Sequence, residues 1–380
     1  MKTQKKLYGG PQKNLMSKEF DFWLFLCALL LAVFGVIMVY SATRTTHSNM
    51  NTIVQSVALA LGLGLLFPVC FFDYEQYKNL IRPIFGASIV LLCIVLVFGV
   101  AGDWGARSWI RIGSIGIQPA ELAKLCFIIT FSYHLEKVQT DINKPLVIVG
   151  LLIHFAVPVF LILLQPDMGS ALVFAFMFIC MLFVAKISYK YVISAMLAAV
   201  AALPIIYKYI LSEYQQKRIQ VFLNPEMDPL DRGYNVIQSK IAVGSGELWG
   251  KGYLEGTQNQ MGYLPTKSTD FIFSVISEEL GFVGAIIVVL LLFWLVYRCF
   301  ATAQRADNAF GRYLCTGVGA MFLFHVFENV GMCIGLMPVT GIPLPFISYG
   351  GTSLITNFIA VGMVMSVRYH NKPRRIFDVY

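Results

Sequence analysis

The chain has 380 residues, of which 57% are hydrophobic and only 13% are charged, and its formal net charge is +8. Ordinary globular domains carry about a quarter charged residues, and a soluble fold could not bury this much apolar surface. The composition predicts a polytopic membrane protein and excludes a nucleic-acid binder and a secreted disulfide scaffold. The positive charge is accounted for by basic loops that fix membrane orientation and contact anionic membrane lipids.

Ten apolar runs follow one another along the chain, and most are close to the roughly 20 residues that a bilayer core requires. Because lipid offers the backbone no hydrogen bonds, these runs must be helices, and the predicted fold is an all-α polytopic membrane protein. We expect a polar tail at 1–18, a single membrane domain at 19–372 and a second tail at 373–380. The ten predicted spans are 21–43, 52–72, 81–100, 119–135, 145–165, 168–186, 189–211, 270–298, 309–336 and 350–367.

Lysine and arginine side chains indicate how these spans are oriented. If the N-terminus lies in the cytoplasm, most of the 29 lysines and arginines fall on the cytoplasmic side, and the short loops opposite carry only Arg44, Arg107 and Arg111. This asymmetry follows the positive-inside rule. It puts both termini in the cytoplasm and the long loop at 212–269, between helices 7 and 8, on the extracytoplasmic side.

The outer loops are the part of the sequence that packing alone does not explain. The loop at 101–118 is punctuated by Gly and Trp, the segment 212–269 is long and mostly polar, and the loop at 337–349 reads MPVTGIPLPFISY. Long loops in a compact protein are commonly functional. We therefore expect the active face outside.

Asp270 is an acidic residue at the start of the eighth span, in the string LPTKSTDFIF. One interpretation is a charge that the helix dipole favours at an N-terminus, with Ser268 or Thr269 as the cap. The other is a general base, because a carboxylate held between water and lipid can take a proton from a sugar hydroxyl. The residues themselves leave both open.

Glu121 and Lys124 lie three residues apart on one face of the fourth span. They can form an internal ion pair that lets both enter the bilayer, or Lys124 can bind an anion in an outer cavity while Glu121 orients it. Arg107 and Trp109 can likewise belong to an interfacial belt or to a site for a pyrophosphate group, which the Arg fork suits.

Other polar residues of the spans have simpler explanations. Glu278 and Glu279 are expected to make structural pairs, and His325, which shares a helix face with Asn329, is expected to be a hydrogen-bonded packing residue. The eight cysteines lie in or beside apolar runs without any C-x-x-C pair, so we expect neither a disulfide framework nor a metal cluster.

The residues alone thus predict ten helices with an outward-facing site that combines one carboxylate with several cations, Arg218 and Lys240 of the long loop among them. Such a site suits a lipid-linked anion as substrate. It does not distinguish an enzyme from a transporter.

Four long strings carry a resemblance to a known family. They are WGARSWIRIGSIGIQPAELAKL at 104–125, QPDMGSALV at 165–173, the stretch from GYNVIQSK to SEELGFVG at 233–284, and NVGMCIGLMPVTGIPLPFISYGGTSL at 329–354. In this order they resemble the SEDS family (shape, elongation, division and sporulation) over most of the chain. The GKG and GTQ elements before LPTKSTDFIF are more similar to the RodA branch than to the division branch, and a sporulation or division branch stays an alternative.

The resemblance implies a GT-C-like fold and a peptidoglycan glycosyltransferase that polymerises lipid II outside the bacterial cytoplasmic membrane, for cell elongation and rod shape. It also implies a class B penicillin-binding protein as transpeptidase partner within the elongation machinery, and we expect helices eight and nine and the outer loops to offer it an apolar surface. The essential Asp of the family falls on Asp270. Predicted substrate contacts are Glu121, Lys124, Arg107, Trp109, Arg218, Lys240, Ser348 and Tyr349.

The implied chemistry fits a single carboxylate. Transfer from an α-linked undecaprenyl pyrophosphate to the 4-hydroxyl of GlcNAc, with a β bond as product, requires inversion and hence one in-line displacement. That step needs one base and cations for the departing pyrophosphate, but no covalent nucleophile. No cofactor is evident, although a divalent cation such as Mg²⁺ or Mn²⁺ could bridge the pyrophosphate and a carboxylate. A lipid II flippase and a non-catalytic scaffold are the alternative functions.

Overall fold

The computed structural model of the protein describes residues 20–44, 49–100, 108–112, 115–210, 213–228 and 232–371. The predicted tails at 1–18 and 373–380 lie outside these residues, and so does Arg107.

Helices make up most of the described chain, as the composition predicts. They are α1 (Phe22–Thr43), α2 (Met50–Phe71), α3 (Ile81–Phe98), α4 (Pro119–Val138), α5 (Pro145–Leu163), α6 (Met168–Val184), α7 (Tyr189–Ile205), α8 (Glu213–Leu223), α9 (Arg232–Ser245), α10 (Thr257–Gln260), α11 (Ile272–Arg305), α12 (Ala309–Cys333) and α13 (Gly351–His370). A 3-10 helix (Tyr74–Leu80) precedes α3, and a π-helical turn (Ile206–Ile210) follows α7. The strands β1 (Ile110–Ile112) and β2 (Ile115–Ile117) form a small antiparallel hairpin.

Seven helical segments within the described residues are long and apolar enough to cross a membrane, which makes this a multi-pass membrane protein. They are α1, α2, the stretch Tyr74–Phe98, α5, α11, α12 and α13. The apolar α6 is shorter, and α4 and α7 do not meet the same criterion. Each predicted span coincides with a helix, but the number of ten crossings stays a prediction.

α12 lies at the centre of the bundle, where it packs against α4, α6 and α11. Most of its residues are buried, whereas α3 and α5 bury only a few of theirs. Small residues permit this close packing: a methyl group at Gly317 would meet Ile128 at 2.9 Å and Met181 at 3.0 Å. Polar side chains of α12 therefore lie away from lipid, where they can bind other parts of the protein.

The long loop 212–269 contains the helices α8, α9 and α10. α9 packs against α11 and α12. The buried hydroxyl of Ser239 donates to the carbonyl of Cys333 at 2.7 Å, and its oxygen lies 2.6 Å from Oγ of Ser274. The loop therefore closes over the start of α11 and the end of α12.

α11 is interrupted at Gly281, where the backbone has φ 67° and ψ −168°. The turn at 246–252 fills the break. The N–H groups of the two residues after Gly281 donate to carbonyls of this turn at 2.8 and 3.1 Å, and two N–H groups of the turn donate to the carbonyls of Glu278 and Glu279 at 3.0 and 3.1 Å. Since an unpaired backbone group costs several kcal/mol in lipid, this exchange is what makes the break tolerable. The predicted span at 270–298 thus consists of two helical pieces, of which the second continues to residue 305.

Candidate active site

Asp270 lies in a turn that leads into α11, which we call the acidic turn (residues 264–271). α11 begins two residues after Asp270, and its N-cap residue is Phe271, so the predicted cap at Ser268 or Thr269 is wrong. The reason is that Thr269 lies two residues before the N-cap residue Phe271, inside a turn where its Oγ1 donates to the carbonyl of Thr266 at 3.1 Å. Asp270 is 6% exposed and remains close enough to the helix start for the dipole to favour its carboxylate.

The loop 337–350 holds the acidic turn in place. Oγ of Ser348 donates to the carbonyl of Thr269 at 2.6 Å, and the N–H of Tyr349 donates to the carbonyl of Ser268 at 2.8 Å. Ser348 is buried, so its hydroxyl is committed to the backbone. Both residues therefore position the acidic turn, and a direct contact of either with substrate stays a prediction.

Asn329 of α12 joins the acidic turn to the loop 337–350. Its side-chain amide donates to the carbonyl of Asp270 and to the carbonyl of Ile342, each at 2.8 Å. Asn329 is fully buried, so it pairs two backbone carbonyls that burial would otherwise leave without a partner. The sequence placed Asn329 on the face of His325 but gave no sign of these contacts.

Glu121 and Lys124 form a buried ion pair. Nζ of Lys124 lies 2.9 Å from Oε1 of Glu121, and Lys124 is 1% exposed, as the internal-pair interpretation predicts. Nζ also lies 2.9 Å from Nε2 of His325, whose Nδ1 lies 3.0 Å from the carbonyl oxygen of Pro343. The ion pair is thereby tied to the loop 337–350, and a contact between Lys124 and a pyrophosphate stays a prediction.

These contacts connect four parts of the chain into one braced unit: the start of α4, the face of α12 that carries His325 and Asn329, the loop 337–350 and the acidic turn. His325 and Asn329 stand one helical turn apart, so they hold their partners on the same side of α12. The residue predicted as base and the residue predicted as anion ligand are therefore fixed to a common scaffold.

Glu278 and Glu279 are buried beside this unit and have structural partners. Glu278 pairs with Lys251 at 2.8 Å, as the sequence interpretation expects. Oε1 of Glu279 accepts from the hydroxyl of Ser41 at 2.6 Å and from the side-chain amide of Asn259 at 2.7 Å. The two carboxylates thus fasten the first piece of α11 to α1 and to the region of α10.

The sequence pattern does not identify Lys267 of the acidic turn as a site residue, because Lys267 lies in a polar loop without an apolar pattern around it. Its ammonium group donates to the carbonyl of Asn259. Burial lowers the pKa of Lys267, and the carboxylates of Glu279 and Glu278 oppose this shift. Lys267 therefore helps to anchor the acidic turn to the segment that contains α10.

Trp109 lies at the edge of the braced unit, in front of β1. Its carbonyl accepts the N–H of Val100 at 2.8 Å, and its ring covers Gly116 on β2. The carbonyl of Gly116 accepts a hydrogen bond from Oγ1 of Thr352 at 3.1 Å. The hairpin with Trp109 is thus docked on the start of α13, next to the loop 337–350.

The remaining predicted site residues are cations. Lys240 is exposed on α9, and its side chain lies against Gly335 in the turn that follows α12. Arg107 and the side chain of Arg218 lie outside what the structure describes, so their roles stay predictions.

Within the described residues, no group of three or more His, Cys, Asp or Glu side chains could hold a metal ion. The groups that surround the backbone of the acidic turn are hydroxyls, amides and carbonyls that bind one another.

A family model described as a cell cycle protein, covering FtsW, RodA and SpoVE, matches residues 21–373. The chain belongs to this family. It is the SEDS family that the four sequence strings resemble, and the expected membership is confirmed.

Several curated relatives of this SEDS protein cover nearly the whole chain. Peptidoglycan glycosyltransferase MrdB of Escherichia coli (strain K12) is 35% identical over 351 residues, which cover 92% of this chain and 93% of its own. Peptidoglycan glycosyltransferase RodA of Treponema pallidum (strain Nichols) is 33% identical and covers 92% of this chain and 97% of its own. A probable peptidoglycan glycosyltransferase FtsW of Trichlorobacter lovleyi is 37% identical, with 94% and 95% covered. RodA and FtsW names both occur, so membership of the family leaves elongation and division open.

Solved structures of SEDS proteins share the fold. One such structure is a chain of a peptidoglycan synthase complex, from work on the structural coordination of polymerization and crosslinking by that complex. It matches this chain with a TM-score of 0.79 at 32% sequence identity, and the match covers 92% of this chain and 97% of its own. The crystal structure of the rod shape determining protein RodA of Thermus thermophilus gives 0.70 at 30% identity, with 93% and 98% covered. The predicted all-α membrane fold is therefore confirmed.

Proposed function

We propose that this SEDS peptidoglycan glycosyltransferase polymerises lipid II into glycan strands, with Asp270 as the general base. The observation that supports the proposal is the braced unit, in which Asn329 binds the backbone of Asp270 while His325 binds Lys124. A base and a cation on one rigid scaffold are what a single displacement with an anionic leaving group needs.

In the proposed step the 4-hydroxyl of a GlcNAc in lipid II attacks the anomeric carbon of the glycan strand, and undecaprenyl pyrophosphate leaves. Asp270 accepts the hydroxyl proton late, as the new C–O bond forms, because a sugar hydroxyl is far less acidic than a carboxylic acid. Lys124, held by Glu121, stabilises the charge that grows on the pyrophosphate. A divalent cation, Mg²⁺ or Mn²⁺, would bridge the pyrophosphate and a carboxylate of the protein, since Mg²⁺ is commonly held by one or two carboxylates together with substrate phosphates.

The deciding experiment compares polymerisation of purified lipid II by the wild type and by Asp270→Asn. The asparagine keeps the shape and an acceptor oxygen but removes the charge, so glycan synthesis should fall by about 10²–10⁴-fold while lipid II binding persists. Asp141→Asn is the matched control, because Asp141 forms an exposed ion pair with Lys144 at 3.0 Å, and exposed pairs contribute little. Near-wild-type synthesis by Asp270→Asn would remove Asp270 as the base, and lost binding with intact chemistry would make it a substrate clamp.

We further propose that the enzyme acts in cell elongation with a class B penicillin-binding protein. The GKG and GTQ elements of the long loop support the RodA branch. On α11, the side chains of Phe282, Ile286, Leu290, Phe293 and Tyr297 repeat at helical spacing and are exposed. Such an apolar face suits a single-pass helix as well as lipid, and this supports a transpeptidase anchored beside α11.

The proposed location is the bacterial cytoplasmic membrane, with both termini in the cytoplasm and the active site outside. Asp21, just before α1, binds Arg298 late in α11 at 2.6 Å and Arg368 late in α13 at 2.8 Å. The first helix therefore begins at the face where the last helix ends, which supports an even number of crossings.

A further inference from the structure

The structure assigns a positioning role to His325, which takes no part in the displacement itself. The inference rests on the proposed function, because it concerns how Lys124 is held for the departing pyrophosphate. His325 is 3% exposed, and its two ring nitrogens bind groups on two different elements.

These partners fix the tautomer of the imidazole. The carbonyl oxygen of Pro343 can only accept, so Nδ1, 3.0 Å away, carries the hydrogen. Nε2, 2.9 Å from Nζ of Lys124, then holds a lone pair and accepts from the ammonium group. A protonated imidazole would present an N–H to the ammonium and could not make this contact. His325 is therefore neutral, with its donor directed at the loop and its acceptor at the cation.

In this arrangement Glu121 neutralises the charge of Lys124, and His325 orients its ammonium group. Glu121 lies on the same helix and holds the ammonium at 2.9 Å, but a partner three residues away does not fix the cation relative to other elements. The imidazole on α12 does so at the same distance. One turn further along α12, Asn329 holds the backbone of Asp270, so the cation and the base are positioned from one helix face.

The two contacts of His325 can be separated by substitution, because each ring nitrogen makes one of them. His325→Gln places an acceptor near the position of Nε2 and loses the donor to Pro343. His325→Asn keeps a donor near the position of Nδ1 and loses the acceptor for Lys124. If His325 only braces the loop 337–350, its function depends on Nδ1, which contacts Pro343. If it positions the cation, its function depends on Nε2, which contacts Lys124.

The experiment measures kcat and KM for lipid II and the unfolding temperature of the purified full chain. His325→Asn should lose on the order of 10²-fold in kcat, since a displacement of a positioned group by about 1 Å can cost this much, with a smaller change in KM because charge on the pyrophosphate grows in the transition state. His325→Gln should keep kcat close to wild type although its unfolding temperature falls further than that of the Asn variant. The control is His154→Asn, whose imidazole contacts His134 and Thr130 and which should keep its kcat.

The outcomes separate the inference from the function on which it rests. Wild-type kcat in His325→Asn overturns the positioning role, and so does an equal loss in both variants that follows their lost thermal stability. If the Gln variant does not fold, the Asn variant decides alone by its kcat, measured well below its own unfolding temperature so that the protein is fully folded. A wild type that does not polymerise lipid II overturns the proposed function, and the role of His325 with it.

Discussion

A buried ion pair is stable only when further hydrogen bonds satisfy the remaining N–H groups of the cation and the remaining lone pairs of the carboxylate. Lys124 and Glu121 meet this condition because His325 supplies an acceptor from another helix. Removing one partner of a buried pair costs about 3–5 kcal/mol. Alanine substitutions at this pair therefore mix a folding defect with a functional one, and an exchange of the two charges is the cleaner change.

Exchanging the pair, with Glu121→Lys and Lys124→Glu together, should abolish polymerisation while the protein still folds. The carboxylate at 124 would face the lone pair of Nε2, so the imidazole of His325 would have to change its tautomer, and the cation would stand one turn away. Gel analysis of glycan chains and the monodispersity of the purified protein measure the two effects.

The matched control exchanges Lys78 and Glu136, which form a partly exposed pair at 2.9 Å away from the braced unit, and this variant should stay active. An active enzyme after the exchange at 121 and 124 would restore the interpretation of a purely structural pair.

At the scale of elements, the break in α11 depends on two glycines that face each other. Gly250 has φ +82° and Gly281 has φ +67°, and a methyl group on Gly281 would lie 2.2 Å from the nitrogen of Gly250. The conformation of Gly281 belongs to a region that is essentially restricted to glycine. The close approach of the two backbones lets the turn at 246–252 supply the hydrogen bonds that the interrupted helix lacks.

Gly281→Ala should lower the stability of the protein, because the backbone strain alone costs about 1–3 kcal/mol and the methyl group would collide with the turn. The unfolding temperature in detergent and the yield of monodisperse protein check this. Gly64→Ala on α2 is the control, since nothing lies within 4 Å of the added methyl group. Equal stability of the two variants would contradict the account of the break.

At the scale of the whole molecule, the bundle has two chemically different ends. One end holds the cluster of Asp21 with Arg298 and Arg368, and the other holds the braced unit. α13 connects them, since it begins at Gly351 beside the loop 337–350 and carries Arg368 near its other end, roughly 25 Å away at the rise of an α-helix. That separation is close to the thickness of a bilayer core.

This arrangement predicts the topology. A reporter fused after residue 255 should be extracytoplasmic, and a reporter at the C-terminus should be cytoplasmic, because the lysine and arginine bias holds the cluster end inside. Activity of paired reporters in cells measures this. If both reporters lie on the same side, the predicted number of crossings is wrong.

The sequence by itself determined the fold class, the positions of the long apolar helices and the main candidate residues. An apolar segment that crosses lipid must form a helix, because lipid offers its backbone no hydrogen bonds. Ionisable residues within such segments are rare, so Asp270, Glu121 and Lys124 stand out as candidates for function. The strings around these residues also determined the family, which the comparisons confirm.

Only the tertiary structure decided which polar groups meet. Helical periodicity shows that His325 and Asn329 share a face, but it does not show which neighbour that face meets, and the contact between His325 and Lys124 joins residues 201 positions apart. The break at Gly281 is of the same kind, because the turn at 246–252 that satisfies it comes from another part of the chain. A helix forms through contacts within one segment, so the local sequence pattern predicts it. The contacts that hold the candidate site together form between segments, and they depend on how the helices and loops pack against one another.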